Sequence, residues 1–132
     1  MSATTYQPAP LPDRVALLEV AHLARGSHEP DGIGCAMEWV SVLSGEPWSD
    51  SPTCTCPVIA AFVRAWNDAL PDKDRDRLLK PLLPRLIGTR STPEVETRRS
   101  YMAIDWLIRT YAPAWLDLVE ACRTDAAALR AL

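Results

Sequence analysis

Apolar residues recur at the three- and four-residue spacing of a helix along most of this chain. No segment alternates apolar and polar residues over several positions, as a half-buried strand does. The clearest helical case is the segment 57–70, where Val58, Phe62 and Trp66 fall on one side of a helical wheel and Asp68 falls on the other. The pattern therefore predicts an all-α fold.

Residues that favour helix ends divide this pattern into segments. Pro57 suits a first helical position, Gly45 suits the left-handed residue after a helix, and Ser91 with Glu94 matches a capping box before a helix with Pro93 in its first turn. The predicted helices are 13–26, 33–45, 57–70, 72–80 with a further short turn ending at Gly88, 93–111, and 114–123 before a frayed C-terminus. Such short helices, joined by proline-containing loops, predict an irregular orthogonal bundle of five to six helices.

The predicted helix 93–111 is apolar around most of its circumference, with Tyr101 and Ile104 on one face and Met102 and Trp106 on another. This distribution predicts a central helix that packs against neighbours on two sides. Apolar residues of the next segment are also predicted to be buried. These are Trp115, Leu116, Leu118, Val119 and Cys122. Four tryptophans are assigned to the core, namely Trp39, Trp66, Trp106 and Trp115, whereas Trp48 in a loop is expected to cap it.

Length and composition fit one soluble domain, since 132 residues can form a core and 48% of them are hydrophobic. Residues 1–12 contain PAPLP and predict a flexible tail, which leaves 13–132 as a single helical domain. The net charge of −3 gives no reason to expect a nucleic-acid partner. Neither a long apolar run nor a signal peptide is visible, so we expect a cytoplasmic protein without a membrane partner.

Cysteine and histidine residues offer a possible metal site. His28, Cys35, Cys54 and Cys56 together supply the Cys₃His set that zinc accepts. Their spacing is unlike that of a tight zinc knuckle, and Cys35 lies on an apolar helical face as a core cysteine does. A cytoplasmic protein is expected to keep its thiols reduced. Zinc binding is thus the alternative prediction, and the favoured role for Cys56 is the residue that precedes the helix at Pro57.

Two enzymatic hypotheses receive less support from the residues. Cys56 at a helix N-terminus could act as a nucleophile, but His22 and His28 are the only histidines and neither is placed beside it by the pattern. A second hypothesis combines carboxylates with arginine, drawing on Glu38, Asp50 and Asp105 with Arg98 or Arg99. The sequence does not bring these residues into one pocket, so a non-enzymatic role is favoured.

A charged stripe runs along the predicted helix 93–111, formed by Glu94, Arg98, Asp105 and Arg109 within about 60 degrees of arc. Charged stripes of this kind are usually solvated helix faces, and the alternative is a surface that binds a partner. The leading prediction is a protein-binding module of regulatory or adaptor type. Its candidate partner-binding residues are Glu46, Trp48, Asp50, Arg98, Asp105 and Arg109.

The runs GEPWSDSPTCTCPVIAAFVRAWNDAL and LLPRLIGT give the chain a resemblance to uncharacterised small helical proteins of high-G+C bacteria and their phages. The resemblance extends from His28 to about Leu118. It implies a cytoplasmic origin and carries no catalytic residue, cofactor or partner to this sequence.

Overall fold

A computed structural model describes residues 8–132, and the chain divides into two compact units at Ser91 and Thr92. The described residues are mostly helical, with one pair of very short parallel strands. Unit 1 contains α1 (Pro12–Val15), β1 (His22–Leu23), β2 (Ile33–Gly34), α2 (Ala36–Ser44), α3 (Pro57–Ala69), α4 (Asp72–Leu79) and α5 (Leu83–Leu86). Unit 2 contains α6 (Pro93–Trp106), α7 (Ala112–Leu116) and α8 (Arg123–Arg130). The mainly α-helical class predicted from the sequence is confirmed.

The first predicted helix, 13–26, is wrong beyond its first turns. Helix α1 continues only as a 3₁₀ turn over Ala16–Glu19, after which the chain becomes extended. Leu23 N–H donates to Asp76 Oδ1 at 2.8 Å, and Ala24 N–H donates to the carbonyl oxygen of Gly34 at 2.9 Å. These distant acceptors replace the carbonyl groups that a continuing helix would have provided.

The boundaries of the next two helices follow the sequence prediction closely, but the predicted apolar side of α3 is wrong, because Phe62 and Trp66 are exposed and Asn67 is buried. Helix α2 ends before Gly45, which adopts the left-handed conformation at φ 80°. Its predicted start is too early, because Ile33 and Gly34 pair with β1 instead of joining the helix. Helix α3 begins at Pro57 and ends one residue before the predicted Leu70.

The core of unit 1 forms where α2 packs against α3 and α5. Met37, Val40 and Leu43 of α2 are completely buried, together with Leu79 and Leu83. The last residues of the predicted tail contact this core, because Leu11 N–H donates to the carbonyl oxygen of Leu43 at 2.9 Å. The first seven residues of that tail lie outside the described residues. Helix α4, its 3₁₀ extension and α5 match the predicted helix and short turn before Gly88.

Unit 2 consists of a long helical segment from α6 to α7, followed by the short helix α8, which packs against α7. Thr92, and not the predicted Ser91, caps α6 by accepting a hydrogen bond from Val95 N–H at 3.4 Å. A π-helical segment, Leu107–Tyr111, joins α6 to α7, so Pro113 does not interrupt the helix as predicted. The wider turn immediately precedes Pro113, which has no N–H to donate to the preceding turn.

The predicted fraying of the C-terminus is also wrong. Residues Arg123–Arg130 form α8, which packs against α7 and buries Ala126. Arg130 forms an ion pair with Asp117. Within residues 8–132, no helix combines the length and the apolar composition needed to cross a bilayer. The single domain over 13–132 stays a prediction.

Candidate functional site

The loop between α2 and α3 is held by its own side chains. Glu46 accepts hydrogen bonds from the N–H groups of Thr53 at 2.6 Å and Cys54 at 2.8 Å. Burial alone would raise the pKa of Glu46, but these donors outweigh that effect and the pKa lies below its ordinary value. Glu46, predicted to face a partner, therefore stabilises the loop as a carboxylate acceptor.

Trp48 in the same loop covers the core, as predicted. Its ring meets Trp39 edge to face with centroids 6.2 Å apart, and its Nε1 donates to the carbonyl oxygen of His28 at 2.7 Å. Gly34 lies directly beneath the ring, because a Cβ at this position would stand 2.7 Å from Trp48 Cη2. Trp48 thus fixes the loop that contains His28 to the edge of the core.

Glu38 is the buried polar residue at the centre of this region. One carboxylate oxygen accepts from His28 N–H at 2.7 Å, and the other accepts from Cys35 N–H at 2.7 Å. The second oxygen also lies 3.3 Å from His28 Nδ1. This carboxylate, which the sequence offered only as a possible catalytic group, joins the start of α2 to the preceding loop.

The four candidate zinc ligands do not form one ligand group, although His28 and Cys35 both contact Glu38. His28 faces Glu38, Cys35 precedes α2, and Cys54 Sγ lies 3.7 Å from Thr55 Oγ1. Cys56 N–H donates to Thr89 Oγ1 at 3.0 Å. No group of three or more His, Cys, Asp or Glu side chains in residues 8–132 is arranged to hold a metal ion. The zinc alternative thus has no preformed ligand group in this part of the chain.

The thiols of Cys35 and Cys54 are not activated as nucleophiles by their surroundings. Burial raises the pKa of Cys35 to about 11, and burial also raises the pKa of Cys54. Both groups are therefore protonated at neutral pH. Cys56 occupies the position before α3 as predicted, but its side chain makes no hydrogen bond that caps the first turn.

A small polar cleft of about 100 Å³ lies beside Cys35. Its lining includes Asp50 and Arg64, and Arg64 donates to the carbonyl oxygen of Asp50 at 2.9 Å. The cleft holds one of the predicted partner-binding residues, but its thiol is protonated and its arginine already has an acceptor. Asp68 also lines the cleft and accepts a hydrogen bond from Gly26 N–H at 2.9 Å.

The six predicted partner-binding residues divide between the two units. Glu46, Trp48 and Asp50 belong to unit 1, where each makes a contact within that unit. Arg98, Asp105 and Arg109 belong to unit 2 and are exposed. Asp105 Oδ1 and Arg109 Nε form an ion pair at 2.8 Å, which confirms the predicted i,i+4 contact.

Unit 2 exposes the apolar residues that the sequence assigned to a buried helix. Only Pro113 and Ala126 are buried in this unit, while Tyr101 is 69% exposed and Met102 is 70% exposed. We call the exposed set the apolar surface of unit 2. It comprises Tyr101, Met102, Ile104, Trp106, Leu107, Ile108, Tyr111, Trp115, Leu118 and Val119.

These exposures correct three predictions. The helix 93–111 is not covered on two sides, the segment after it leaves Trp115, Leu118 and Val119 exposed, and Trp106 is not a core residue. Trp66 of unit 1 is also exposed, so of the four predicted core tryptophans only Trp39 is buried. Helical periodicity identified the apolar faces, but it carries no information about whether another element covers them.

Sequence reasoning missed the structural roles of Asn67 and Arg75, both buried in unit 1. The helical wheel of segment 57–70 placed Asn67 on the polar side beside Asp68, so the pattern gave no signal of its burial. The functional interpretation rests on the residues described above. Comparison of the chain with protein-family models, with curated proteins and with solved structures gives no match.

Proposed function

We propose that this protein is a cytoplasmic, non-enzymatic module that binds protein through the apolar surface of unit 2. The observation that supports the proposal is the exposure of ten large apolar side chains between Tyr101 and Val119 on a folded helical unit. Soluble monomers rarely expose large contiguous apolar areas, and such areas usually mark interaction sites. The irregular orthogonal bundle of helices stays part of this proposal.

The aromatic residues of this surface suit protein recognition. The rings of Trp106 and Tyr111 lie 5.4 Å apart, and those of Tyr111 and Trp115 lie 6.2 Å apart. This row of rings follows the long helical segment and is exposed along its length. Tyrosine and tryptophan are enriched among the residues that contribute most to protein–protein affinity, because they offer large contact areas with few rotatable bonds.

Charged residues border the apolar surface and complete the expected composition of an interface. Arg98, Asp105 and Arg109 of the charged stripe are exposed beside it. A rim of charged residues contributes orientation and selectivity more than affinity. The predicted residues Glu46, Trp48 and Asp50 make internal contacts in unit 1, so we centre the proposed surface on unit 2.

Site-specific photo-crosslinking tests the proposal in cells that produce the protein. A benzophenone amino acid replaces Tyr101 in one variant and the exposed Thr124 of α8 in a matched control. We expect covalent adducts with a polypeptide from position 101 and few from position 124. An absence of adducts at position 101, or a link only to unit 1 of the same chain, would overturn the proposed surface.

A further inference from the structure

We infer that the partner on this surface is a second copy of the chain, docked antiparallel along α6. The inference rests on the proposed binding surface and names its occupant. Its basis is the order of charges in the charged stripe, which is Glu94, Arg98, Asp105 and Arg109. This order is complementary to itself when one copy is reversed against the other.

The complementarity follows from the positions of these residues. Glu94 and Arg109 lie equally far from the point midway between Tyr101 and Met102, and Arg98 and Asp105 also lie equally far from it. Two copies that cross antiparallel at this point bring Arg98 of each opposite Asp105 of the other. Arg98 and Asp105 both lie in α6, so this pairing does not depend on the π-helical segment that contains Arg109.

A parallel arrangement in the same register would have the opposite result. Each charge would then face its own equivalent, for example Arg98 facing Arg98, and like charges across an interface oppose association. A two-fold axis through the midpoint relates the antiparallel copies, so both copies use the same surface patch in the interface. The charge order thus selects one orientation of the pair.

Residues beside the stripe in α6 have the spacing that a helix pair needs. Thr97, Tyr101 and Ile104 follow one another at intervals of four and three residues, before the π-helical segment Leu107–Tyr111 changes the period. This is the a and d spacing of a helix seam, and Arg98 and Asp105 occupy the same flanking position in successive heptads. Flanking positions of that kind face each other across antiparallel helices. The seam and the charges therefore belong to one interface.

The face beside the stripe offers exposed apolar area to a second copy. Tyr101 and Ile104, both in α6, are 69% and 49% exposed. Their burial would remove apolar area from water in both copies, and such burial is the main favourable contribution to most protein association. The ion pair that already joins Asp105 to Arg109 is solvent-exposed and weak, so it does not prevent exchange with a second copy.

Charge reversal combined with sedimentation equilibrium tests the inference on the full chain. The wild type is expected to reach the mass of a dimer. Arg98→Glu places a glutamate opposite Asp105 twice in a homodimer, and Asp105→Arg places an arginine opposite Arg98 twice. We expect each variant to dissociate with a Kd roughly tenfold or more above that of the wild type.

An equimolar mixture of the two variants is the decisive sample. In the mixed dimer, the glutamate introduced by Arg98→Glu in one chain faces the arginine introduced by Asp105→Arg in the other. The unchanged Asp105 of the first chain likewise faces the unchanged Arg98 of the second, so we expect association to return when the variants are mixed. Lys73→Glu, an exposed charge reversal in unit 1, serves as the control and should leave the Kd unchanged. Circular dichroism of each variant shows whether α6 stays folded.

Each outcome decides between the inference and the function on which it rests. A wild type that stays monomeric at all concentrations overturns the second copy as partner, as does a mixture that fails to associate. A dimer that tolerates both reversals overturns the antiparallel register. In each of these cases, crosslinks from position 101 to a different protein would still support the proposed protein-binding function. An absence of crosslinks from position 101 would contradict that function as well.

Discussion

The two units differ in where their apolar residues lie. Unit 1 encloses side chains such as Leu43 and Leu79 completely, whereas unit 2 leaves Trp115 and Leu118 more than half exposed. Both units have the same helical spacing of apolar residues in the sequence. The comparison shows that an amphipathic pattern defines a helix face and that the surrounding elements decide whether this face becomes a core or a docking surface.

The two units also differ in their buried polar residues, which lie in unit 1. In unit 1, Asn67 accepts from Ala36 N–H at 3.1 Å and donates to the carbonyl oxygen of Ala24 at 2.8 Å. Arg75 donates to the carbonyl oxygens of Asn67 at 2.7 Å and Leu70 at 2.6 Å. The bonds of Asn67 join segments distant in sequence, whereas those of Arg75 connect α4 to the end of α3. The side-chain ion pairs of unit 2, such as Asp117 with Arg130, are partly exposed and weaker constraints.

Matched leucine substitutions give the largest expected contrast between the units. Leu43→Ala removes a completely buried side chain from unit 1 and should lower the free energy of unfolding by about 2–5 kcal/mol. Leu118→Ala removes a side chain that is 74% exposed in unit 2, and we expect a change below about 0.5 kcal/mol. Chemical denaturation of both variants, followed by circular dichroism, measures the two values.

An equal cost for both substitutions would contradict the comparison. Such a result would require the side chain of Leu118 to be buried, whereas the structure shows it exposed. Repeating the measurement over a range of protein concentration distinguishes burial within one chain from burial between chains, because only association depends on concentration.

The stability of unit 1 should also depend on pH through Asp76, and this effect should be smaller than that of Leu43→Ala. Burial alone would raise the pKa of Asp76, but Leu23 N–H, His22 and Lys80 outweigh it and hold the pKa below its ordinary value. Such a carboxylate contributes stability above its unfolded pKa of about 3.9, and this contribution is lost as the pH falls through the lower folded pKa. We expect Asp76→Asn to lower stability by about 1 kcal/mol at pH 7.

That difference should shrink as the pH falls below about 4, because the wild-type carboxyl then becomes neutral as well. Asp74→Asn is the control, since Asp74 pairs with the exposed Arg77 on the same helix and its loss should cost less than about 0.5 kcal/mol. Denaturant titrations at several pH values provide the measurement. A constant difference for Asp76→Asn across this range would show that its charge is not the stabilising feature.

Helix ends marked by a proline or a glycine were predicted best from the sequence. Pro57 and Gly45 define the start of α3 and the end of α2 through local backbone chemistry, which acts within a few residues. The same is true of the turn at Gly88. Signals of this kind need no knowledge of the remaining chain, so they can be interpreted from a single sequence.

Features that depend on distant residues were not predictable in the same way. Helix α1 stops early because Asp76 and Gly34 accept the N–H groups of residues 23 and 24. Glu38 was considered as a possible acid, and only the folded arrangement shows that it holds the N–H groups of His28 and Cys35. The periodicity of α6 likewise gave no information about covering elements, so its apolar faces were predicted to be buried.

Metal removal gives the smallest expected effect and tests whether unit 1 is stabilised by its own contacts. The backbone around Cys54 is fixed by Glu46 and by the N–H groups of Gly88 and Arg90, so the loop has a stabilising set of bonds without a metal. We expect the melting temperature to be the same before and after treatment with a chelator. A structural zinc ion contributes on the order of 10 kcal/mol, so its removal would lower the melting temperature by many degrees. Such a fall, together with zinc found by elemental analysis, would restore the Cys₃His alternative and make unit 1 dependent on a bound ion.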